Sequence, residues 1–402
     1  MLEALKNVLL YGGSFIFVLG MVVFVHEFGH FRAARLCRIA VKSFSIGMGP
    51  AVAQARDRHG TTWKLGAIPI GGFVSWVDDT DPSSIGPATE EAQQLSHEEA
   101  RERGHFRAAP VAARAFVVVA GPLMNFVFAI AAFAAVVLIV GRDMTDRAQL
   151  SPRIDGVMAN SAAEKGGIRG GDVVVEIQGQ PVSVFGDFQR VVAANPERQL
   201  NLVVRRDGGL ASLTVTPTAT ETPGPDGRMR RIGLLGIERR TLPEERVIER
   251  VGPIGAIGIG AQQTWSIVAM TGAYIGEVFA GRASPEHIAG PAGILNESGR
   301  IASRAIDQTD VSPWERLSDL LLSLLQWAAI LSVAVGIVNL LPIPILDGGH
   351  LLFYAIEAIR GGKPLPPQAH EWALRAGLAV LGGLFLFATW NDIQRFLNPG
   401  IG

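Results

Sequence analysis

His26, Glu27 and His30 stand in the order H-E-x-x-H, at the end of an apolar run that begins at Leu9. On a helix, residues four apart share a face, so His26 and His30 can offer imidazole nitrogens to one metal ion. Zinc suits such ligands, and Glu27 beside them could take a proton from a water that the ion acidifies. The pattern is short and also occurs by chance without metal. Its placement weighs against chance, because two histidines and a glutamate at membrane depth are costly. Ionisable groups there are functional candidates by default. The stretch reads as a membrane-embedded metal site.

The elements that must carry this site are apolar. Of 402 residues, 48% are hydrophobic and only 18% charged, a balance that fits several membrane spans joined to soluble parts. A net charge of -1 speaks against nucleic acid as a partner. Cys37 is the single cysteine, which excludes an intrachain disulfide and a cysteine-based metal cluster. Leu9 to Val25 is free of charge and, with Ala4 and Leu5, approaches the roughly 20 residues a helix needs to cross a bilayer. Arginines rather than a small-residue cleavage site follow it, so it reads as a retained first span and not a secretory signal. Arg32, Arg35, Arg38 and Lys42 mark its far end as cytoplasmic. Phe116 to Val140 reads as a second span, broken by Gly121-Pro122 and by Asn125. Asn125 is either a helix-to-helix hydrogen bond, the usual role of such residues, or a group facing the site. Leu320 to Leu341 reads as a third span and Ala376 to Trp390 as a shorter fourth.

The third span runs directly into Pro342-Ile343-Pro344-Ile345-Leu346-Asp347-Gly348-Gly349. The prolines end the helix and hold Asp347 on irregular backbone, which at membrane depth is tolerated only inside protein or along a watery cavity. Asp347 could cap the helix that follows. It could equally be a third, carboxylate ligand, completing a two-histidine, one-aspartate set that leaves a position open for water.

Between the spans the periodicity changes. Phe44, Ile46 and Met48 alternate with Ser43, Ser45 and Gly47, a strand pattern, and Gly47-Met48-Gly49-Pro50 reads as a turn. Trp63 to Val77 is a second extended stretch. The pair is either a plain cytoplasmic hairpin or a sheet edge able to accept a peptide as a further strand. Residues 78–104 read as a polar surface loop with one short helix. From 150 to 220 the chain is soluble in character, with a short helix, a glycine turn, a β-branched strand at Val173 to Ile177 and a hairpin at Asp207-Gly208-Gly209. Its A-A-E-K-G-G-I-x-x-G-D-V-V run, from Ala162, looks like a bacterial PDZ domain, which binds extended peptides by strand addition. A sealed groove on a purely structural domain is the alternative.

Together the motifs resemble the site-2 protease family of intramembrane zinc metalloproteases, in its bacterial regulator-of-sigma-E branch. The likeness rests on His26 to His30, on Gly47-x-Gly49, on Gly121-Pro122-x-x-Asn125, on the PDZ-like run and on Asn339-Leu-Leu-Pro-x-Pro-x-Leu-Asp347-Gly-Gly. It implies that His26, His30 and Asp347 bind one zinc ion per chain and that Glu27 is the general base and acid. It further implies that Asn339, Pro342, Pro344, Gly47 and Gly49 help hold substrate on a membrane-reentrant β element. Family substrates are transmembrane segments of membrane proteins already trimmed by another protease, anti-sigma factors among them, and leftover signal peptides. The best-known relative carries two PDZ domains and this chain one, acting as peptide binder or filter.

The expected architecture is a polytopic α-helical membrane protein with about four spans, a membrane-associated β element and one inserted extracytoplasmic PDZ-like α/β domain. It divides as 1–38, 39–112, 113–141, 150–220, 221–316, 317–349 and 350–402. The metal end is expected in the cytoplasm of a bacterial inner-membrane protein. The moderately apolar Pro253 to Gly281, with Gln262, Gln263 and Glu277, is expected to lie along the membrane surface. A further crossing there would reverse the third span and carry Asp347 about 30 Å from the histidines. Two other classes fit parts of the pattern. A metal transporter would place His and Asp in the membrane without a base or a peptide-binding domain, and a silent scaffold would not need the metal constellation.

Overall fold

The computed structural model describes residues 2–79, 89, 94–223, 229–282, 290–307, 311–363 and 365–397. The chain forms two compact units, Met1–Val140 with Gly252–Gly402, and Gly141–Val251.

In the first unit, helix α1 (Leu2–Leu36) carries the apolar run and the H-E-x-x-H pentapeptide without a break. Two residues past its end, Arg38, with φ of 58°, turns the chain into strand β1 (Val41–Arg56), which pairs antiparallel with β2 (Thr62–Trp76). The expected turn at Gly47 to Pro50 is instead a bend within a continuous strand. Gly47 and Gly49 take φ of 81° and 82°, open to glycine at no steric cost, and the ladder folds back on itself. Residues Phe44 to Ile46 therefore pair twice, with 72–74 on one side and 63–65 on the other. In the loop expected over 78–104, residues 80–88 and 90–93 lie outside the described residues. Its short helix is α2 (His97–Glu102), begun by a capping box between Ser96 and Glu99. Helix α3 (Val111–Val140) contains Pro122 and buries Val117, Gly121 and Asn125 on one face.

The second unit is built on a four-stranded antiparallel sheet in the order β6-β5-β7-β8: β6 (Gln180–Pro181), β5 (Val173–Ile177), β7 (Leu200–Arg206) and β8 (Gly209–Val215). Helices α4 (Ala162–Lys165) and α5 (Phe185–Ala194) belong with it, and the fully buried core is Ile154, Val174, Ile177, Phe188, Leu200, Leu202, Val204 and Val215. The unit is wider than the expected 150–220. Strand β10 (Met229–Leu234) pairs with β9 (Thr218–Pro223), β11 (Ile237–Glu238) with β4 (Gly156–Val157), and β12 (Ile248–Glu249) with β3 (Arg142–Asp143). Strands β11 and β12 close onto β4 and β3, so residues beyond 220 belong to this fold.

The first unit resumes with α6 (Pro253–Phe279), α7 (Pro291–Ile306), α8 (Pro313–Asn339), α9 (Asp347–Ile359) and α10 (Pro367–Leu397). Among the described residues four helices are long and apolar enough to cross a membrane, within α1, α3, α8 and α10, matching the four expected spans. Helix α6 is not one of them, and it packs on α3. Ala256, Gly260 and Thr264 form a buried stripe of small residues four apart, and Gly260 packs on the backbone of Ile130 and Ala134. Thr264, Trp265 and Val268 then share a groove with Phe126, Ile337 and Leu341. Later α6 residues thus meet earlier α3 residues, so α6 runs antiparallel to α3. On α7 and its ends, Gly290 packs on Ala388, Gly299 on Tyr11, and Asp307 pairs with Lys6 at 3.7 Å. Gln262 and Gln263 are exposed on α6.

Candidate metal centre

The histidines project from the last third of α1, one turn apart, with their Nε2 atoms 3.2 Å from each other. Asp347 is the third member. Its Oδ2 lies 3.2 Å from His26 Nε2 and 3.5 Å from His30 Nε2, and the three ligand atoms all fall within 4.8 Å of one another. The side chains are 12%, 11% and 16% exposed, enough to admit water and too little to be solvated.

Local sequence explains how Asp347 arrives. Helix α8 ends at Asn339, and the Pro342–Pro344 stretch cannot continue it. Ile345, a β-branched residue, has φ of 128°, a conformation that costs about 1–3 kcal/mol and persists only where surroundings impose it. The surroundings are close. A Cβ on Gly348 would fall on the carbonyls of Leu340 and Leu341, one on Gly349 on that of Ile343, and one on Gly377 of α10 2.9 Å from the carbonyl carbon of Pro344. Glycine is the only residue that lets α9 start here. The cap position of α9 is Leu346, with no side-chain cap hydrogen bond, so the Asp347 carboxylate is not used as a cap and faces the histidines.

Helix α3 backs the imidazoles through a stripe four residues apart. The Val117 carbonyl accepts from His30 Nδ1 at 2.8 Å, Gly121 lies against the His30 ring, and the Asn125 amide is 3.2 Å from His26 Nδ1. Of the two readings of Asn125, the structure realises the one that faces the site. A Cβ on Gly121 would land on His30 Nε2, and one on Gly29 on the Ala120 carbonyl, which explains the glycine inside H-E-F-G-H and the one before Pro122.

Glu27 points to the β element: a Cβ on Gly72 would sit 3.0 Å from Glu27 Cγ and 2.8 Å from the Ser45 carbonyl. The strand at Gly72 therefore lies along the Glu27 side of the site. Gly47 is buried at the bend of β1, while Gly49, Asn339 and Pro342 keep partial or full exposure near the strand and loop that border the site. The roles of Val117 and Gly72 were not readable from residue type, since one acts through its backbone carbonyl and the other by lacking a side chain.

The donor set fits zinc. Two neutral imidazoles and one carboxylate are a common catalytic zinc ligation. The buried Asp347 Oδ2 has no hydrogen-bond donor among the described residues although two ring nitrogens lie near it, as a metal ligand would.

The comparisons agree with this geometry. The model of peptidase family M50 matches residues 14–384. A protein of Rhizobium meliloti (strain 1021) named as a zinc metalloprotease is 39% identical over 382 residues, 95% of this chain and 96% of its own. Metalloprotease MmpA of Caulobacter vibrioides is 34% identical over 389 residues, 95% of each chain. The regulator of sigma-E protease RseP of Escherichia coli (strain K12) is 28% identical over 474 residues, covering 95% of this chain and 98% of RseP. That alignment is longer than the 402 residues present here, so RseP carries insertions relative to this chain. With the family model spanning most of its length and these relatives covering nearly all of it, the chain belongs to peptidase family M50, the site-2 protease family, and is a zinc metalloprotease.

Proposed function

We propose that the protein hydrolyses peptide bonds within transmembrane segments of membrane proteins, with His26, His30 and Asp347 as zinc ligands and Glu27 as general base and acid. The observation that carries this reading is the meeting of Asp347 with the two histidines beside Glu27, the histidines on a helix apolar enough to cross a bilayer and Asp347 a few residues beyond another. Zinc bound there supplies Lewis acidity, polarising the scissile carbonyl and acidifying water. Glu27 takes the proton of the attacking water and returns it to the leaving amine nitrogen. Asp347, at the first turn of α9, has its negative charge supported by the helix dipole.

A transmembrane helix resists hydrolysis because its carbonyls are bonded internally. Strand 72–76, whose Gly72 lies against Glu27, gives an unwinding substrate an edge to pair with beside the base. In this reading Gly47 and Gly49 bend the β element into place, and Asn339, Pro342 and Pro344 hold the extended peptide. Segment 150–220 is a PDZ-like module that binds peptide or filters substrates by size. The substrates are single-pass proteins already cut by another protease, of the anti-sigma-factor type, and remnant signal peptides, so that the activity is regulated intramembrane proteolysis. The protein sits in the bacterial inner membrane with the metal end cytoplasmic and Gly141–Val251 outside.

Cleavage of a model transmembrane substrate in detergent, with and without a zinc chelator, tests the activity. Zinc-dependent cutting within the apolar segment is expected, and zinc movement into vesicles without any cutting would sink the proposal. Cysteines placed singly at 245 and 307 in a Cys37→Ser background should both react with an impermeant thiol reagent added outside cells. Labelling of only one would overturn the assigned orientation.

A further inference from the structure

Helix α3 supplies no ligand, yet both imidazoles rest on it. Val117, Gly121 and Asn125 are spaced by four and form one stripe, which meets His30 and then His26. For His30 the consequence is simple. A carbonyl only accepts, so the bond to the Val117 oxygen at 2.8 Å requires the proton on Nδ1 and leaves Nε2 its lone pair.

For His26 the outer partner is an amide, which can act either way. Asn125 Nδ2 lies 3.2 Å from His26 Nδ1, and among the described residues no other hydrogen bond reaches that nitrogen. Asn125 is 0% exposed, and its Oδ1 has no partner among the described residues. A half-turn of the amide exchanges oxygen and nitrogen with almost no change of shape. With Nδ2 toward the ring, Nδ1 must accept, and a neutral imidazole then carries its proton on Nε2. That is the atom facing Asp347 and His30. With Oδ1 toward the ring, Nδ1 donates and Nε2 is free to bind.

We infer that Asn125 is the positioning residue that selects the metal-binding form of His26, its Oδ1 accepting from Nδ1–H. This rests on the proposal that His26 is a zinc ligand. The amide is well placed for the task because the Asn125 backbone carbonyl accepts from Ser332 Oγ of α8 at 3.1 Å, holding that turn of α3 in register. One stripe on a ligand-free helix thereby orients both rings, one through a carbonyl and one through an amide oxygen.

The test is zinc affinity of the full-length protein in detergent, measured by competition with a chromogenic chelator, for the wild type, Asn125→Leu and Asn125→Asp. Leu keeps the bulk and removes the acceptor, and affinity should fall about 10–100-fold. Asp keeps an acceptor and cannot turn an amide N–H to the ring, so it should bind zinc about as tightly as the wild type. A purely structural role would lower the melting temperature of both variants alike and leave zinc affinity equal across the three, which would overturn the inference. A second measurement needs no variant. In the zinc-loaded wild type, the nitrogen NMR shifts of His26 should show a protonated Nδ1 and a metal-bound Nε2; a protonated Nε2 overturns it. Unchanged zinc affinity in His26→Ala would instead remove the ligand assignment beneath it, an outcome told apart because Asn125 plays no part in that variant.

Discussion

The two units differ in what their helices and strands bury. In Gly141–Val251 the core is made of large residues: Phe188, Ile177, Leu200 and Leu202 are at most 2% exposed. In the other unit Phe44, Val18, Val22 and Val117 are buried too, but many helix contacts are made by small residues such as Ala129, Ala256, Ala328 and Ala329, while Leu9, Leu123, Ile139 and Leu386 are 52–70% exposed. Expulsion of water drives the first arrangement. It cannot drive the second where lipid is as apolar as leucine, so the helices associate by close contact of small residues and by a few polar bonds. Those few polar groups are then free to be chemical ones. The lesson is that the metal centre depends on single contacts, whereas the other unit depends on summed area.

This contrast can be broken or sharpened by substitution. The largest effect is expected at Glu27. Glu27→Gln should lower cleavage at least about 100-fold while zinc content, measured by atomic absorption, stays near one per chain. His26→Ala and Asp347→Ala should lose both, and near-normal turnover of Glu27→Gln would reject it as the base. Next comes a pair of leucines. Leu202→Ala, in the tightly packed unit, should cost about 2–5 kcal/mol in denaturant titration. Leu386→Ala, on the outer face of α10, should leave stability in detergent almost unchanged; equal losses would erase the contrast.

Glycines carry the converse test. Gly121→Ala puts a methyl against His30 and should reduce cleavage about 100-fold by displacing a ligand by the order of an ångström. Gly258→Ala, on α6, meets nothing within 4 Å and should stay within about twofold, as expected for a substitution that alters no contact. Loss of activity at both would point to helix flexibility rather than contact.

The smallest effect concerns a buried ion pair. Burial alone would raise the Asp172 carboxyl. Hydrogen bonds from Arg206 and from the Arg169 N–H, with the Arg206 charge, outweigh it and hold the group below the usual carboxylate range. Asp172 therefore stabilises the fold fully above the unfolded value of about 3.9, and this contribution is lost as pH falls through its lowered folded value. Asp172→Ala should cost about 2–3 kcal/mol at pH 7, below the usual range for a broken buried pair because Arg206 can reach solvent. The difference from wild type should shrink toward acid pH in thermal melts. A difference independent of pH would assign the loss to packing alone.

Much of this molecule follows from local pattern. The spacing of His26 and His30, the four apolar runs and the proline-interrupted approach to Asp347 are short-range features, and a periodicity of a few residues is enough to read them. The pentapeptide and Asp347 are 317 residues apart, and nothing in either segment alone decides whether the carboxylate caps α9 or meets the histidines. Packing decided that, through Gly348, Gly349 and Gly377, whose missing side chains let three backbones touch. Packing also laid α6 against α3, since a stripe of Ala256, Gly260 and Thr264 has little hydropathy but allows close approach. Strands β11 and β12 joined the second unit because their partners lie before 158, a distance no periodic signal spans. Asn125 shows the division most plainly. Its residue type announced a polar group in a span, and only the approach of α1 to α3 made that group the partner of His26 rather than of a neighbouring helix.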